Sequence, residues 1–355
     1  MNYKIKDLCE ITSSRRIFAK EYTKEGIPFF RSQEIIELST KGKTTPKIFI
    51  SNKRYNEILS NGLNVPSKGD ILMSAIGANR GYPWNVSFDK FYFKDGNVIW
   101  LRNFTKQCNS KYLTYALSTS KNINMLQTAS EHSAQGAITL DLIKNIEIYL
   151  PSINIQQHIV NTIGSIDDLI ENYDKQLEKI KIILRDKYKS YDNLNKIKLG
   201  DVATIKTGKL NADACCQNGI YPFFTCSEKP LNINVYAFDG PSILLSGNGS
   251  QLGYLNFYDG KFNAYQRTYV IQSNKIYSIY ASLLCNIDQI INQACGSAIP
   301  YITKPMIENL YIFEFDKITE KIFKILIVKM QHINKEKSLL IKLKQTLLNK
   351  YFTNQ

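Results

Sequence analysis

The sequence repeats itself at a period close to half its own length, and few features constrain a fold as tightly. Lys4-Ile5-Lys6-Asp7-Leu8 returns as Lys196-Ile197-Lys198-Leu199-Gly200-Asp201-Val202. Gly26-Ile27-Pro28-Phe29-Phe30 returns as Gly219-Ile220-Tyr221-Pro222-Phe223-Phe224, and Ile71-Leu72-Met73-Ser74 as Ile243-Leu244-Leu245-Ser246. The last match runs on without a gap: Ser74, Gly77, Gly81 and Tyr82 align with Ser246, Gly249, Gly253 and Tyr254. Further on, Gly136-Ala137-Ile138 resembles Gly296-Ser297-Ala298-Ile299, and Ile143-Lys144-Asn145-Ile146-Glu147-Ile148 resembles Ile307-Glu308-Asn309-Leu310-Tyr311-Ile312. Such self-similarity means related units in tandem, and 355 residues suffice for two ordinary cores.

Each copy ends in a long helical segment. Pro151 opens the first, with Ser152 or Asn154 as its cap. Ile159, Ile163, Ile166, Ile170, Tyr173, Leu177, Ile180 and Leu184 follow in steps of four and three, and Tyr191 and Leu194 extend the row. Lys187 is the one charged residue in this seam. The pattern is a coiled-coil seam of about five heptads, and about 40 residues at 1.5 Å each make a rod of about 60 Å. The second helix is expected over 319–352, with Ile322, Leu326, Met330, Ile333, Leu340, Leu347 and Tyr351 as a looser apolar face. Two seams in one chain predict an antiparallel intramolecular coiled coil serving as a spacer. Packing of each helix on its own domain, or pairing with a second copy of the chain, are the alternatives.

The globular copies read as mixed β structure with short helices, an α+β fold. Asp70–Ile76 and Ser242–Ser246 look like buried strands, and Asn97–Leu101 and Thr268–Gln272 like their successors. Short helices are expected at Ser110–Ser118 and Ile276–Leu284. The divisions are then 1–150 and 196–316 for two β-rich domains, with 151–195 and 317–355 for the helices. Gly247-Asn248-Gly249-Ser250-Gln251-Leu252-Gly253 imitates a nucleotide-binding glycine loop, but a true one opens a helix. Here the following Tyr254–Tyr258 reads as a strand, so the segment predicts a tight strand-to-strand turn with positive φ.

The net charge of +14 favours a polyanionic partner, nucleic acid before an anionic membrane surface. No apolar run approaches the ~18 residues that span a bilayer, and Met1–Lys6 does not read as a signal, so a cytoplasmic location is expected. The seven cysteines, Cys9, Cys108, Cys215, Cys216, Cys226, Cys285 and Cys295, show no C-x-x-C spacing. His132, His158 and His332 are far apart and lack metal-ligand spacing. No Walker loop, Asn-Pro-Pro-aromatic motif, or Ser/His/Asp or Cys/His arrangement appears, so no catalytic residue and no metal site is predicted. The candidate readers of a nucleic acid lie in turns: Arg15, Arg16, Arg31, Gln33, Asn79, Arg80, Gln135, Lys209, Asn248, Gln251 and Arg267. Arg, Asn and Gln pair bidentately with guanine and adenine edges, whereas Lys and Ser hold phosphates. Singly each is an ordinary solvated loop residue; as a duplicated set they point to DNA.

The order domain, helix, domain, helix resembles the specificity subunit of type I restriction-modification enzymes. The stretch Ile146–Val160, with Pro151 followed by Gln156-Gln157, is similar to that family's junction between domain and helix, and Ile166-Asp167-Asp168-Leu169-Ile170 fits its next helical turn. The second copy departs, because Phe313–Glu320 lacks both the Pro and the Gln-Gln pair. The resemblance covers the whole chain. It implies a non-catalytic bacterial subunit that reads a bipartite, asymmetric double-stranded DNA site, one half per target recognition domain. The coiled coil would set the gap, and the chain would have approximate two-fold symmetry within itself. It further implies docking of two methyltransferase subunits that methylate adenine N6 with S-adenosylmethionine, and a place for two motor-nuclease subunits using ATP and Mg, with no cofactor in this chain. The competing readings are a self-contained DNA methyltransferase or nuclease, and a structural coiled-coil adaptor.

Overall fold

The computed structural model describes residues 1–60, 65–131, 136–191, 195–227, 229–296 and 299–352. The chain forms two compact units, one built from Met1–Leu169 and Leu340–Gln355, the other from Ile170–Leu339. Two long helices, Ile153–Lys189 and Lys317–Phe352, each contribute to both units.

In the first unit a four-stranded antiparallel sheet runs in the order Glu10–Thr12, Val98–Arg102, Ile71–Ser74, Pro83–Asn85. Successive strand side chains point to opposite faces, and both faces here are covered. Ile71, Met73, Ile99 and Leu101 pack with Tyr112, Leu113 and Ala116 of helix Ser110–Leu117. Leu72, Trp84 and Trp100 pack on the other side with Phe30, Phe91, Phe93 and Ile35. This is why Ile71–Met73 is apolar without alternation. A second sheet orders Tyr22–Thr23, Phe49–Ile50, Ile27–Phe30 and Tyr92–Phe93, the last pair parallel. Asn2–Lys4 pairs antiparallel with Glu147–Tyr149 and brings the ends of residues 1–150 together.

The second unit repeats this plan. Its main sheet orders Thr204–Thr207, Thr268–Gln272, Ser242–Ser246 and Leu255–Tyr258. Its smaller sheet orders Leu231–Ile233, Tyr221–Phe224 and Asn263–Ala264, again with the last pair parallel. Lys196–Lys198 closes on Tyr311–Phe313.

The correspondence extends to single backbone hydrogen bonds. Gly81 N–H donates to Ser74 O and Gly253 N–H to Ser246 O, both at 2.9 Å. Ala75 N–H donates to Asn97 O and Gly247 N–H to Arg267 O, again both at 2.9 Å. Ile138 N–H donates to Ala75 O at 2.9 Å and Ile302 N–H to Gly247 O at 2.8 Å. This last pair corrects the sequence alignment: Ile138 corresponds to Ile302, not to Ile299. Resemblance among small residues misplaced the match by a few positions, whereas the ladder fixes it. The turn between Ser242–Ser246 and Leu255–Tyr258 joins two antiparallel strands, with Gly249 and Gly253 at φ 80° and 79°. Helix Ile276–Ile291 is longer than expected, and helices Ser32–Lys41, Asn52–Ser60 and Ser120–Glu131 were not predicted.

Within each unit the two long helices pair. In the second unit Leu177, Ile180, Leu184 and Tyr188 share a core with Phe323, Ile327, Met330 and Ile333. Asp174 bonds Lys337 at 2.5 Å and Tyr191 OH lies 2.9 Å from Thr319 Oγ1, so residue numbers rise on one helix as they fall on the other and the pair is antiparallel. In the first unit Ile159, Val160 and Ile163 share a core with Leu347 and Leu348, and Asp167 bonds Lys344 at 2.5 Å. Ile166 is buried, while Ile170, Tyr173, Leu326, Leu340 and Leu347 are half-buried. Leu194 lies outside the described residues. Two seam positions are corrected. Ile322 is exposed, and Phe323 is fully buried in its place. Lys187 is displaced from the seam by Tyr188, because the steps at Ile180, Leu184 and Tyr188 are four and four; Lys187 Nζ instead sits 4.9 Å from the Tyr191 ring centroid.

The junction of each helix with its domain is held by one side chain at the helix's first turn, buried in the first unit (Gln156) and half-buried in the second (Glu320). Gln156 is 0% exposed. Its amide nitrogen donates to Gln107 O and Pro151 O, and its oxygen accepts from Asn109 N–H, all at 2.8 Å. Glu320 holds the corresponding place in the second unit and accepts from Tyr277 N–H at 3.1 Å, Ser278 N–H at 3.0 Å and the Ser278 hydroxyl. The missing Gln-Gln pair of the second copy is thus replaced by a carboxylate at the first turn of helix Ile276–Ile291, where free amides and the helix dipole favour negative charge.

Candidate nucleic-acid interface

In each unit, three turns meet at one edge of the main sheet. In the first they are Ser13–Arg16, Ala75–Gly81 and Lys94–Asn97. Ser13 Oγ donates to Val98 O at 2.8 Å and accepts from Gly96 N–H at 3.1 Å. Arg16 Nε reaches Asp95 at 2.9 Å, and Ser32 Oγ donates to Asn97 O at 3.1 Å. In the second unit the turns are Gly208–Leu210, Gly247–Gly253 and Tyr265–Arg267. Gln266 N–H donates to Leu210 O at 3.0 Å, and Cys226 Sγ to Arg267 O at 3.3 Å. Backbone bonds hold the Ala75–Gly81 and Gly247–Gly253 turns, whereas side chains such as Ser13, Arg16 and Cys226 help to hold the turns beside them.

The candidate readers divide by what they already bind. Arg15, Gln33, Asn79, Lys209, Gln251 and Arg267 are exposed, and Asn248 is half-buried beside its backbone bridge to Tyr301. Arg16 is exposed although bonded to Asp95. Asn79 and Gln251 occupy equivalent positions two residues before the second turn glycine. Gln33 and Asn79 line a shallow depression with Ser32, Ile36, Thr40 and Gly77. Arg31 instead forks onto Glu34, with Nη2 to Oε1 at 2.7 Å and Nε to Oε2 at 3.2 Å. Burial opposes the charge of Glu34, yet the Arg31 fork and backbone amides hold its carboxyl below the usual carboxylate range. Arg80 is folded inward to Gln127 O at 3.1 Å, Gly77 O at 3.2 Å and Ser130 Oγ. Arg31 and Arg80 therefore shape the edge rather than project from it. Gln135 lies outside the described residues. Sequence reasoning passed over Asn97, the counterpart of Arg267, because it counted Asn97 as the first residue of the strand that in the structure begins at Val98.

Among the described residues no helix is long and apolar enough to cross a membrane, and no group of three or more His, Cys, Asp or Glu could hold a metal. Residues 1–182 and again 191–343 match the type I restriction modification DNA specificity domain. The chain belongs to that family. It is a family of recognition components rather than catalysts. The type I restriction enzyme EcoDI specificity subunit of Escherichia coli is 46% identical over 118 residues, which are 33% of this chain and 26% of that protein. The matched stretch therefore spans about a quarter of the EcoDI subunit's length. The MjaIX specificity subunit of Methanocaldococcus jannaschii is 27% identical over 368 aligned positions, covering 87% of this chain and 81% of its own. Among solved structures, the type I restriction-modification S subunit from M. genitalium superposes with a TM-score of 0.61 at 18% identity. That match covers 99% of this chain and 95% of the other, and it attests the shared fold.

Proposed function

We propose that this specificity subunit reads a split, asymmetric site in double-stranded DNA. Each unit takes one half-site through its sheet-edge turns, and the paired helices set the gap. The observation that carries this reading is the repetition of one main-sheet framework, down to three pairs of equivalent backbone hydrogen bonds, beneath two different sets of exposed side chains. A shared scaffold with unlike turns is suited to reading unlike half-sites. The surplus of 14 positive charges supports binding to phosphates, and paired half-sites in DNA readers lie about one helical turn, ~34 Å, apart.

The same reading assigns the chemistry to partners. Two methyltransferase subunits would supply S-adenosylmethionine and methylate adenine N6 in each half-site, and two motor-nuclease subunits would bring ATP and Mg, all in the cytoplasm. The exposed apolar residues Ile318, Ile322, Ile325, Leu339 and Leu343 on the second helix support a docking role for the helices.

Methylome sequencing of cells carrying this chain with its partner methyltransferase tests the reading. A bipartite motif is expected, and replacing residues 1–150 by those of a relative changes one half only. Inserting a heptad near Gln176 lengthens the first helix by about 10 Å, roughly three base-pair steps, and lengthens the gap while sparing both halves. DNA methylation by the purified chain alone favours the self-contained enzyme. A DNA affinity that falls steeply with salt is expected of the reader, whereas no DNA binding, alone or with methyltransferase subunits, favours the adaptor.

A further inference from the structure

The second long helix carries two apolar seams rather than one. The inner seam, which faces the first helix, runs through Phe323, Leu326, Met330 and Ile333 to Lys337 and Lys344. The outer seam is displaced by one residue and runs through Ile318, Ile322 and Ile325, is interrupted by Lys329 and His332, and resumes at Glu336, Leu339 and Leu343, its apolar members all exposed. Both advance in steps of four and three or their heptad multiples. A turn of about 100° around the helix axis exchanges them. Hydrophobicity favours the inner seam at Met330 and Ile333, but it does not separate Phe323 and Leu326 from Ile322 and Ile325, and toward the C-terminal end it favours Leu339 and Leu343 over Lys337 and Lys344.

Charge selects strongly. The first helix places Asp167 and Asp174 one heptad apart on its paired face. They meet Lys344 and Lys337, each at 2.5 Å. With the outer seam turned inward, Asp174 would face Glu336 and Asp167 would face Leu343: a like-charge pair, and a carboxylate facing a leucine. A slip of one heptad would keep the apolar pairing but strand one Asp and one Lys. The two ion pairs fall on either side of the division between the units, Asp167 with Lys344 in the first and Asp174 with Lys337 in the second. Asp167 is anchored further by the Tyr115 hydroxyl at 2.7 Å, whose ring lies 5.7 Å from Lys344 Nζ. Half-exposed ion pairs contribute little stability, but polar groups within a coiled-coil seam specify register.

We propose that Asp167–Lys344 and Asp174–Lys337 are positioning residues that lock the helix register, and through it the gap between half-sites. This rests on the reading that the helices space the half-sites. The test compares gap lengths in methylomes of cells expressing the full chain with its partner methyltransferase. The unaltered chain methylates almost entirely at one gap, with about 1% or fewer of its sites at other gaps. In Lys337→Glu, the share of sites at other gaps rises about tenfold, and Asp174→Lys with Lys337→Glu returns it to the starting level. Asp174→Leu with Lys337→Leu melts at or above the unaltered chain yet spreads the gap, a result that loss of folding cannot imitate. A single unchanged gap in the leucine pair overturns the register lock, as does failure of the charge exchange to restore it. Absence of any bipartite motif in the unaltered chain overturns the functional reading instead.

Discussion

The two units share a scaffold and differ in what they hang on it. After the matched strands that end at Phe30 and Phe224, the first unit places helices Ser32–Lys41 and Asn52–Ser60 on either side of strand Phe49–Ile50, whereas among the described residues the second has the strand Leu231–Ile233 without such helices. The order of the main sheet, the closing strand pairs and the backbone hydrogen bonds of the Ala75–Gly81 and Gly247–Gly253 turns stay the same, while the smaller sheet has four strands in the first unit and three in the second. What is kept is backbone geometry; what changes is side chains and inserted segments. Such a framework tolerates a change of reading surface because its central turn, Ala75–Gly81 or Gly247–Gly253, is held by backbone N–H and C=O groups.

The largest difference should appear at the helix junctions. Gln156→Leu leaves a buried N–H and two carbonyls without partners and should cost about 3 kcal/mol or more, read as a fall in melting temperature. Glu320→Leu should cost as much in the second unit. Gln156→Glu and Glu320→Gln should each be worse than neutral, since one site needs an amide that donates and the other two accepting oxygens. Equal tolerance of these exchanges would break the claim that the sites solve one problem by opposite chemistry.

Next come the turn glycines. A Cβ at Gly253 would lie 2.5 Å from Ile291 Cδ1, whereas one at Gly81 would lie 3.2 Å from Ile138 Cδ1, both at positive φ. Gly253→Ala should cost about 2–4 kcal/mol and Gly81→Ala about 1–3 kcal/mol. Thermal unfolding that ranks them the other way would contradict the packing described.

Arg80→Ala should cost about 1–2 kcal/mol through its lost bonds to helix Ser120–Glu131, with the recognised bases unchanged in the methylome. A changed half-site would make Arg80 a reader after all. The smallest stability effects belong to Asn79→Ala and Gln251→Ala, within about 0.5 kcal/mol for exposed positions. Each should relax discrimination in its own half-site by about 1–3 kcal/mol if its amide reads an adenine. Loss in both halves from either substitution would end the assignment of one half-site to one unit.

Much of this architecture was legible in the sequence, because period and hydrophobic spacing are set by the backbone. The Ser-x-x-Gly-x-x-x-Gly-Tyr repeat located the turn, and the isoleucine spacing located the first helix seam. The second helix was misread at Ile322 because its two seams differ by a single residue, and burial decides between them only in three dimensions. Helix Ser32–Lys41 was missed although Glu34 at its third position and Gly42 in the left-handed conformation are helix-end signals. At the candidate interface, residue type named Arg31 and Arg80 as readers, but their partners Glu34 and Gln127 are invisible to motif logic. Glu320 was overlooked because it performs with charge what Gln156 performs with an amide.

The first unit is built from residues 1–169 and 340–355, whereas the second is contiguous. At 5–20 residues per second, roughly ten to thirty seconds of translation separate the two parts of the first unit. Until then Tyr112, Ile159 and Ile163 lack the cover of Leu347, Leu348 and Phe352. The unit that leaves the ribosome first is therefore the last to be finished, and a truncated product would present an incomplete apolar core to chaperones and proteases.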